Sequence, residues 1–270
     1  MCIVSQPVKE VDSTKILVAL SSDKTRQMIV YGNRVDNEIA TNAMILPVPN
    51  PQTIKFHDLS KHKNIFKDLD SAFYHVTTNS FDGALSYSTN SMNMLKVFDV
   101  GSYQVSMANT VDDILRINKQ VFDLSAGCYE LLKSQYTSNF GFIVCKLKQG
   151  NATYHPLGYS HQVINQQKLF IPTKHYHEHT IDLQDSEYAV EQSEVNHDEK
   201  WQHMIYLYNC TGKQTQLHTI KSYDYSDLWK KNNPLLFDYN SIEFDFGHCT
   251  NLEKYSIKGD KPNIDLMVSA

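Results

Sequence analysis

Apolar and polar positions alternate along several short runs of this chain, with longer polar stretches between them. Residues 14–20 (TKILVAL) and 26–31 (RQMIVY) each carry a strand-type run, joined by Ser21, Ser22, Asp23 and Lys24. The pattern predicts a hairpin with a four- or five-residue connection. Residues 42–51 (NAMILPVPNP) are an apolar run with prolines at 47, 49 and 51. Proline fixes φ and lacks an N–H, and it pushes the residue before it toward extended geometry. The run therefore predicts a buried strand that leaves its sheet at the prolines as a stiff, polyproline-like exit. Residues 140–148 (FGFIVCKLK) are the best strand in the chain, apolar enough to be buried on both faces. Further strands are expected at 53–56, 96–100, 102–108, 154–161, 168–175, 201–209, 216–223, 241–246 and 255–257.

Helical spacing appears in two places. One is 58–73, through Leu59, Ile65, Phe66, Leu69 and Phe73. The other lies near 111–136, where Thr110 is a candidate N-cap with Asp113 three residues on. Ile114, Ile117 and Val121 would form the apolar face of the first helix there, and Asp123 or Ser125 would open a second. Residues 77–94 are rich in Ser and Asn and read as a long loop or lid, while acidic residues at 180–200 read as a solvated loop or insertion. With no repeat and no Gly/Ser linker, the chain reads as a single α+β domain over 1–270. It is expected to be mostly antiparallel β-sheet, with a helical pair near residues 111–136.

The 270 residues, 41% of them hydrophobic, are enough to bury a sizeable core. Tyr (16) and Phe (12) are abundant, which suits half-buried sheet surfaces. The net charge of −5 offers nothing to a phosphate backbone, so no nucleic-acid partner is expected. No apolar run approaches the roughly 20 residues of a membrane span. The N-terminus shows no signal-peptide pattern. The five cysteines are scattered, odd in number and without a C-x-x-C pair, which fits buried reduced thiols. Together these features suggest a cytoplasmic or intracellular protein, or part of an assembled particle.

Several apolar blocks follow one another in a recognisable order. They are Met44 to Pro49, then Val100 to Val105 leading into 111–119, then Phe140 to Leu147. His155-Pro156-Leu157, Leu169 to Pro172 and His203 to Tyr208 complete the series. On these blocks the chain resembles the bacterial domain-of-unknown-function family 2330, over roughly residues 1–209. Members of that family usually look exported, with a cysteine near the mature N-terminus. Here Cys2 directly follows Met1 and no signal precedes it. The resemblance implies a shared α+β fold and supplies no established activity or catalytic residues.

Two segments carry candidate chemistry. In residues 174–179 (KHYHEH), His175, His177 and His179 would share one face of a strand. Imidazoles so placed could ligate Zn, Cu or Ni. Next-but-one residues on a strand stand about 7 Å apart, so two of them would need a partner such as His155, His161 or His203. Cys2 is the other candidate. After removal of Met1, its α-amine could serve as base for its own thiolate, as in N-terminal nucleophile hydrolases, with Arg26 or Asp36 orienting a substrate. The chain has no G-x-S-x-G elbow, phosphate loop, G-x-G-x-x-G or H-E-x-x-H. Asp68 with Asp70, and Asp112 with Asp113, read as solvated helix ends. The Tyr-rich residues 222–229 read as a loop anchored by its aromatics. The leading expectation is a non-catalytic structural or interaction protein, with a protein partner or self-assembly. A Cys2 hydrolase comes second and a metal-binding protein third.

Overall fold

The structure is a computed structural model. It describes residues 3–73, 94–101, 103–165, 167–177, 199–211, 227–232, 242–247 and 251–270. The strands in chain order are β1 (Ile3–Val4), β2 (Glu10–Leu20), β3 (Arg26–Asn37), β4 (Ala43–Pro49) and β5 (Lys55–His57). Then come β6 (Val97–Val100), β7 (Tyr103–Ala108), β8 (Phe140–Lys146), β9 (Gly150–Thr153) and β10 (Leu157–Gln162). The last five are β11 (Lys168–Ile171), β12 (Glu199–Tyr208), β13 (Asp227–Asn232), β14 (Asn251–Lys261) and β15 (Leu266–Ser269). The α-helices are α1 (Ile65–Ser71) and α2 (Ala126–Gln135).

The described residues are mostly β. One sheet runs β1-β4-β8-β7-β6, a larger one runs β13-β14-β12-β2-β3-β10-β5 with β9 also on β3, and β11 pairs with β15. All pairings between these strands are antiparallel except β12 with β2. The main core lies between the two large sheets, where Met44, Leu46, Ile143 and Cys145 meet Ile16, Val18, Ile29, Tyr31, Ile205 and Tyr255. Alternation sends Phe142 and Val144 of β8 to the opposite face, where Leu131, Leu132 and Cys128 of α2 cover them. β8 is thus buried on both sides, as its unbroken apolar run predicts. On the outer face of the larger sheet, Ile65, Phe66 and Leu69 of α1 pack on Leu17, Val30 and Tyr206. Asp70 adds a polar clasp there, accepting from Tyr206 Oη at 2.9 Å and pairing with the buried Lys254 at 2.5 Å.

The helical pair expected near 111–136 is half borne out. Ser125 caps α2 by accepting from Cys128 N at 3.1 Å, and Thr110 Oγ1 accepts from Asp113 N at 3.1 Å. After Thr110, however, the chain makes only a 3-10 turn, Asp112–Arg116. Asn118 Oδ1 takes the Gln120 N–H at 3.0 Å, a local bond that competes with continued helix. The strand expected at 241–246 is absent, because 242–247 is a bent segment that packs Ile242 and Phe246 on the outer sheet face. The expectations for 77–93, 180–198, 216–223 and 222–226 fall outside the described residues.

The proline run behaves differently from its sequence reading. β4 continues through Pro47 and Pro49, which pair with Phe142 and Phe140 of β8. Direction explains it. Ser5 N donates to Ala43 O and Ala43 N donates to Ser5 Oγ, so odd-numbered residues of β4 point their backbone groups toward β1. Leu147 N donates to Asn42 O and Asn50 N to Asn139 O, so even-numbered residues face β8. β1 reaches only Met44 and Ile45. The donors missing at Pro47 and Pro49 therefore belong to the side of β4 away from β8, which has no ladder partner past Ile45 among the described residues, and there proline is tolerated. The ladder to β8 loses nothing.

Pro51 then packs on Gly141, where an added Cβ would stand 2.4 Å from Pro51 Cβ and 2.5 Å from Ala108 O. Neither neighbour is the far end of a flexible side chain. Gly141→Ala is expected to cost about 3 kcal/mol, the upper part of the usual overpacking range. In urea this would appear as a lower midpoint at unchanged slope. A midpoint within error of the parent would show that the contact relaxes without strain.

Candidate functional site

Segment 172–177, which carries the sequence-predicted histidines, follows β11 but is not itself a strand ladder. The side chains of Asn263 and Asp265, with the backbone carbonyl of Ile264, hold it in place of a second strand. Asp265 Oδ1 accepts from Lys174 N at 2.8 Å, and Asn263 Oδ1 accepts from His175 N at 2.8 Å. Asn263 Nδ2 donates to His175 O at 2.7 Å, and Thr173 Oγ1 donates to Ile264 O at 2.8 Å. Tyr136 Oη donates to the second Asp265 oxygen at 2.7 Å. Burial raises the Asp265 carboxyl above its ordinary range, opposed by these bonds. β11 has a similar support from below. The buried Gln27 side chain accepts from Phe170 N at 2.9 Å and donates to Phe170 O at 2.7 Å, in place of a backbone neighbour.

His175 and His177 are buried side by side with ring centroids 4.4 Å apart, edge to face. Between them Tyr176 faces the other way and bridges to Ile3, with Val4 N donating to Tyr176 O at 2.8 Å. The alternation read from sequence is therefore present for the first two imidazoles, and His179 lies outside the described residues. His203, on β12, is buried nearby. Burial holds its pKa well below the ordinary imidazole range, and His175 adds to the effect. His155 and His161 belong to other sites, against Tyr103 and Tyr159 respectively. Among the described residues no three His, Cys, Asp or Glu side chains are placed to hold one metal ion.

Cys2 lies outside the described residues. Arg26 and Asp36, the two alternatives for orienting a substrate, stand ten residues apart on β3, about 33 Å for an extended strand. Cys128, Cys145 and Cys210 are buried free thiols, in keeping with the reduced-thiol reading.

A polar centre that sequence reasoning missed joins β3, β5 and β10. Ser160 Oγ lies 2.9 Å from His57 Nε2, and Arg26 Nη2 donates to Ser160 Oγ and Ser160 O at 3.1 Å and to Thr53 O at 2.8 Å. The Ser–His spacing is that of a nucleophile and its base. Yet Ser160 and His57 are 1% and 4% exposed, and His57 Nδ1 has no hydrogen-bond partner among the described residues to orient it. The centre ties β5 to β10 and, among the described residues, has no third member for triad chemistry. Burial, with Arg26 and Lys55 nearby, lowers the His57 pKa to about 4. Burial also lowers His161, one residue beyond Ser160, to about 4. The pair is 103 residues apart in sequence. Its only sequence signal is the adjacent polar pair Ser160 and His161 within β10.

The sheet order, the helix on each outer face and the chain path can be compared with solved structures. This chain is similar in fold to baculovirus P35. The two superpose with a TM-score of 0.51 at 13% identity, covering 100% of this chain and 99% of P35. P35 has also been solved in complex with caspase-8 (14% identity, 96% of each chain, TM-score 0.44). A mutated P35 has been solved after caspase cleavage (13% identity, 98% of this chain and 100% of that one, TM-score 0.46). No family model matches the chain. The likeness to P35 is one of fold and does not bear on the resemblance to domain family 2330. Among the described residues no helix is long and apolar enough to cross a membrane.

Proposed function

We propose that this chain is a non-catalytic interaction protein whose partner is a cysteine protease of the caspase class. The observation that carries the reading is the likeness of fold to P35 along the full length of both chains. The partner class is taken from P35, which is described bound to caspase-8. Sequence adds one detail. Caspases cut after aspartate, and Asp82 is the only carboxylate of the Ser- and Asn-rich stretch 77–94, followed by Gly83. Proteolysis concentrates in polar, small-residue stretches of this kind. Asp82 lies outside the described residues, and its role in this reading comes from sequence.

The test is titration of the purified chain against active caspase-8, with peptide hydrolysis followed by fluorescence and the chain followed by intact mass. The expected result is saturable loss of protease activity with an apparent Kd below ~1 μM. A cut after Asp82 should disappear in Asp82→Ala. Undiminished hydrolysis at ~10 μM chain, with no co-elution in gel filtration, would sink the reading. The two alternatives have their own signatures. Turnover of a hydrolase substrate that is lost on Cys2→Ala would establish the nucleophile. Saturable uptake of Zn, Cu or Ni by metal-stripped protein would establish the site at His175, His177 and His179.

A further inference from the structure

β8 ends at Lys146, and the chain runs on through Leu147, Lys148 and Gln149. Leu147 is buried in the main core between the sheets, so Lys146 and Lys148 on either side of it point away from that core. Register gives Lys146 two neighbours. Ala43 of β4 pairs with it directly, and Gln104 of β7 stands opposite it, one step past the Val105–Cys145 pair. Lys146 and Gln104 thus share the face that carries Phe142, Val144 and Ala108. Farther along, that face is covered by α2 with Ile117 and Phe122. At this end it gives way to a groove of about 410 Å³ lined by Ala40, Gln104, Lys146, Leu147, Lys148 and Gln149. Volumes of that size suit small organic ligands.

The groove is basic and its backbone is fixed. The Cα atoms of Lys146 and Lys148 are about 7 Å apart. Neither lysine forms an ion pair among the described residues, and the Gln104 amide is equally uncommitted there. Around them Leu147 N donates to Asn42 O at 2.9 Å and Lys148 N to Tyr154 Oη at 2.6 Å. Asn37 Nδ2 donates to Lys148 O at 3.1 Å, and Gln149 Nε2 to Glu38 O at 2.9 Å. A site held in this way loses little freedom on binding. Three acidic side chains stand near by chain or register, and none bonds to either lysine. Glu38 is engaged by Lys9 at 2.7 Å. Asp123, whose N–H donates to Thr41 O, turns Oδ1 to Leu124 N at 2.9 Å. Asp99 pairs with the far side of Gln104, two strand spacings or about 10 Å from Lys146.

We infer that this groove binds the phosphate group of a small phosphate monoester. Such a group carries close to two negative charges at neutral pH, which matches two unpaired ammonium groups. Lysine is a point charge on a flexible stem, so two rooted about 7 Å apart can close on one dianion. The Gln104 amide donates to a further oxygen, and the rest of the ester lies toward Ala40. The site is independent of the protease reading and can be tested without a protease.

Calorimetric titration of the full chain at low salt would use glycerol 2-phosphate as the probe and glycerol as its uncharged counterpart. Glycerol 2-phosphate should bind saturably, with a Kd between ~10 μM and ~1 mM, and glycerol should give no saturable heat. The double variant Lys146→Gln/Lys148→Gln should lose at least about tenfold in affinity at an unchanged melting temperature, since exposed lysines contribute little to stability. Gln104→Leu should weaken binding about threefold. The control pair Lys119→Gln/Lys168→Gln removes the same charge from exposed positions elsewhere and should bind as the parent does. No saturable heat from glycerol 2-phosphate up to ~10 mM would overturn the assignment. Undiminished binding by the Lys146/Lys148 variant, or an equal loss in the control pair, would also overturn it.

Discussion

Asn42→Ala should destabilise the protein by about 4 kcal/mol, because it leaves several buried polar groups without partners, each costing roughly 1–3 kcal/mol. Asn42 is fully buried at the start of β4. Its Oδ1 accepts from Gln6 N at 3.0 Å, Ser5 Oγ at 3.1 Å and Ala43 N at 2.9 Å. Its Nδ2 donates to Gln6 O and Pro7 O at 3.1 Å and to Asn37 Oδ1 at 3.0 Å. One amide thus ties together the segment after β1, the end of β3 and the first residue of β4. Water cannot replace it at a site without exposure. Asn42→Asp is expected to be at least as damaging, since its second oxygen would face two carbonyls that need a donor. Urea titrations would give the loss, and hydrogen exchange at Gln6 would report it locally. A loss below ~1 kcal/mol would mean that the N-terminal segment is held by other contacts.

The second large effect is acid destabilisation carried by buried neutral histidines. His57 and His161 each have a folded pKa of about 4 against an ordinary value of 6.5. Between those values the unfolded chain binds the proton and the folded chain does not, so stability rises with pH through this window. The contribution is complete above about pH 6.5 and is lost progressively as pH falls toward 4. A shift of this size corresponds to roughly 3 kcal/mol for each imidazole at most. His155 and His203 are lowered as well and act with the same sign. Asp265, raised by burial, acts with the opposite sign and offsets part of the loss. A protonated His57 would also place a second cation on Ser160 Oγ, which already accepts from Arg26. Thermal melts from pH 8 to pH 4 should show a steep fall that His57→Gln flattens. A flat profile in the parent protein over that range would refute the account.

Local chemistry explains which parts of the fold were legible in the sequence. Strands β2, β3, β8 and β12 announced themselves by alternation or by unbroken apolar runs, because burial on one or both faces leaves a period in the residues themselves. Ser125 marked the start of α2 because a cap is a contact between neighbours in the chain. The run through Ile114 and Ile117 fits three residues per turn as well as it fits a helix, and only Asn118 decides against continuation. The sites were less legible. His175 and His177 meet because they alternate, whereas His203 is buried nearby on β12, far from them along the chain. Likewise, nothing near His57 points to Ser160, and nothing near Gln27 points to the Phe170 backbone that it serves.

The prolines of β4 have one more consequence. Past Ile45 that edge of its sheet offers carbonyl oxygens but no N–H groups at positions 47 and 49. A peptide that tried to extend the sheet there would find half of its ladder missing, so covalent structure adds to the burial of β4 in blocking strand addition at this border. Among the described residues the other border of that sheet is β6, which pairs only with β7. Two prolines thus decide which border of the sheet can still accept a strand.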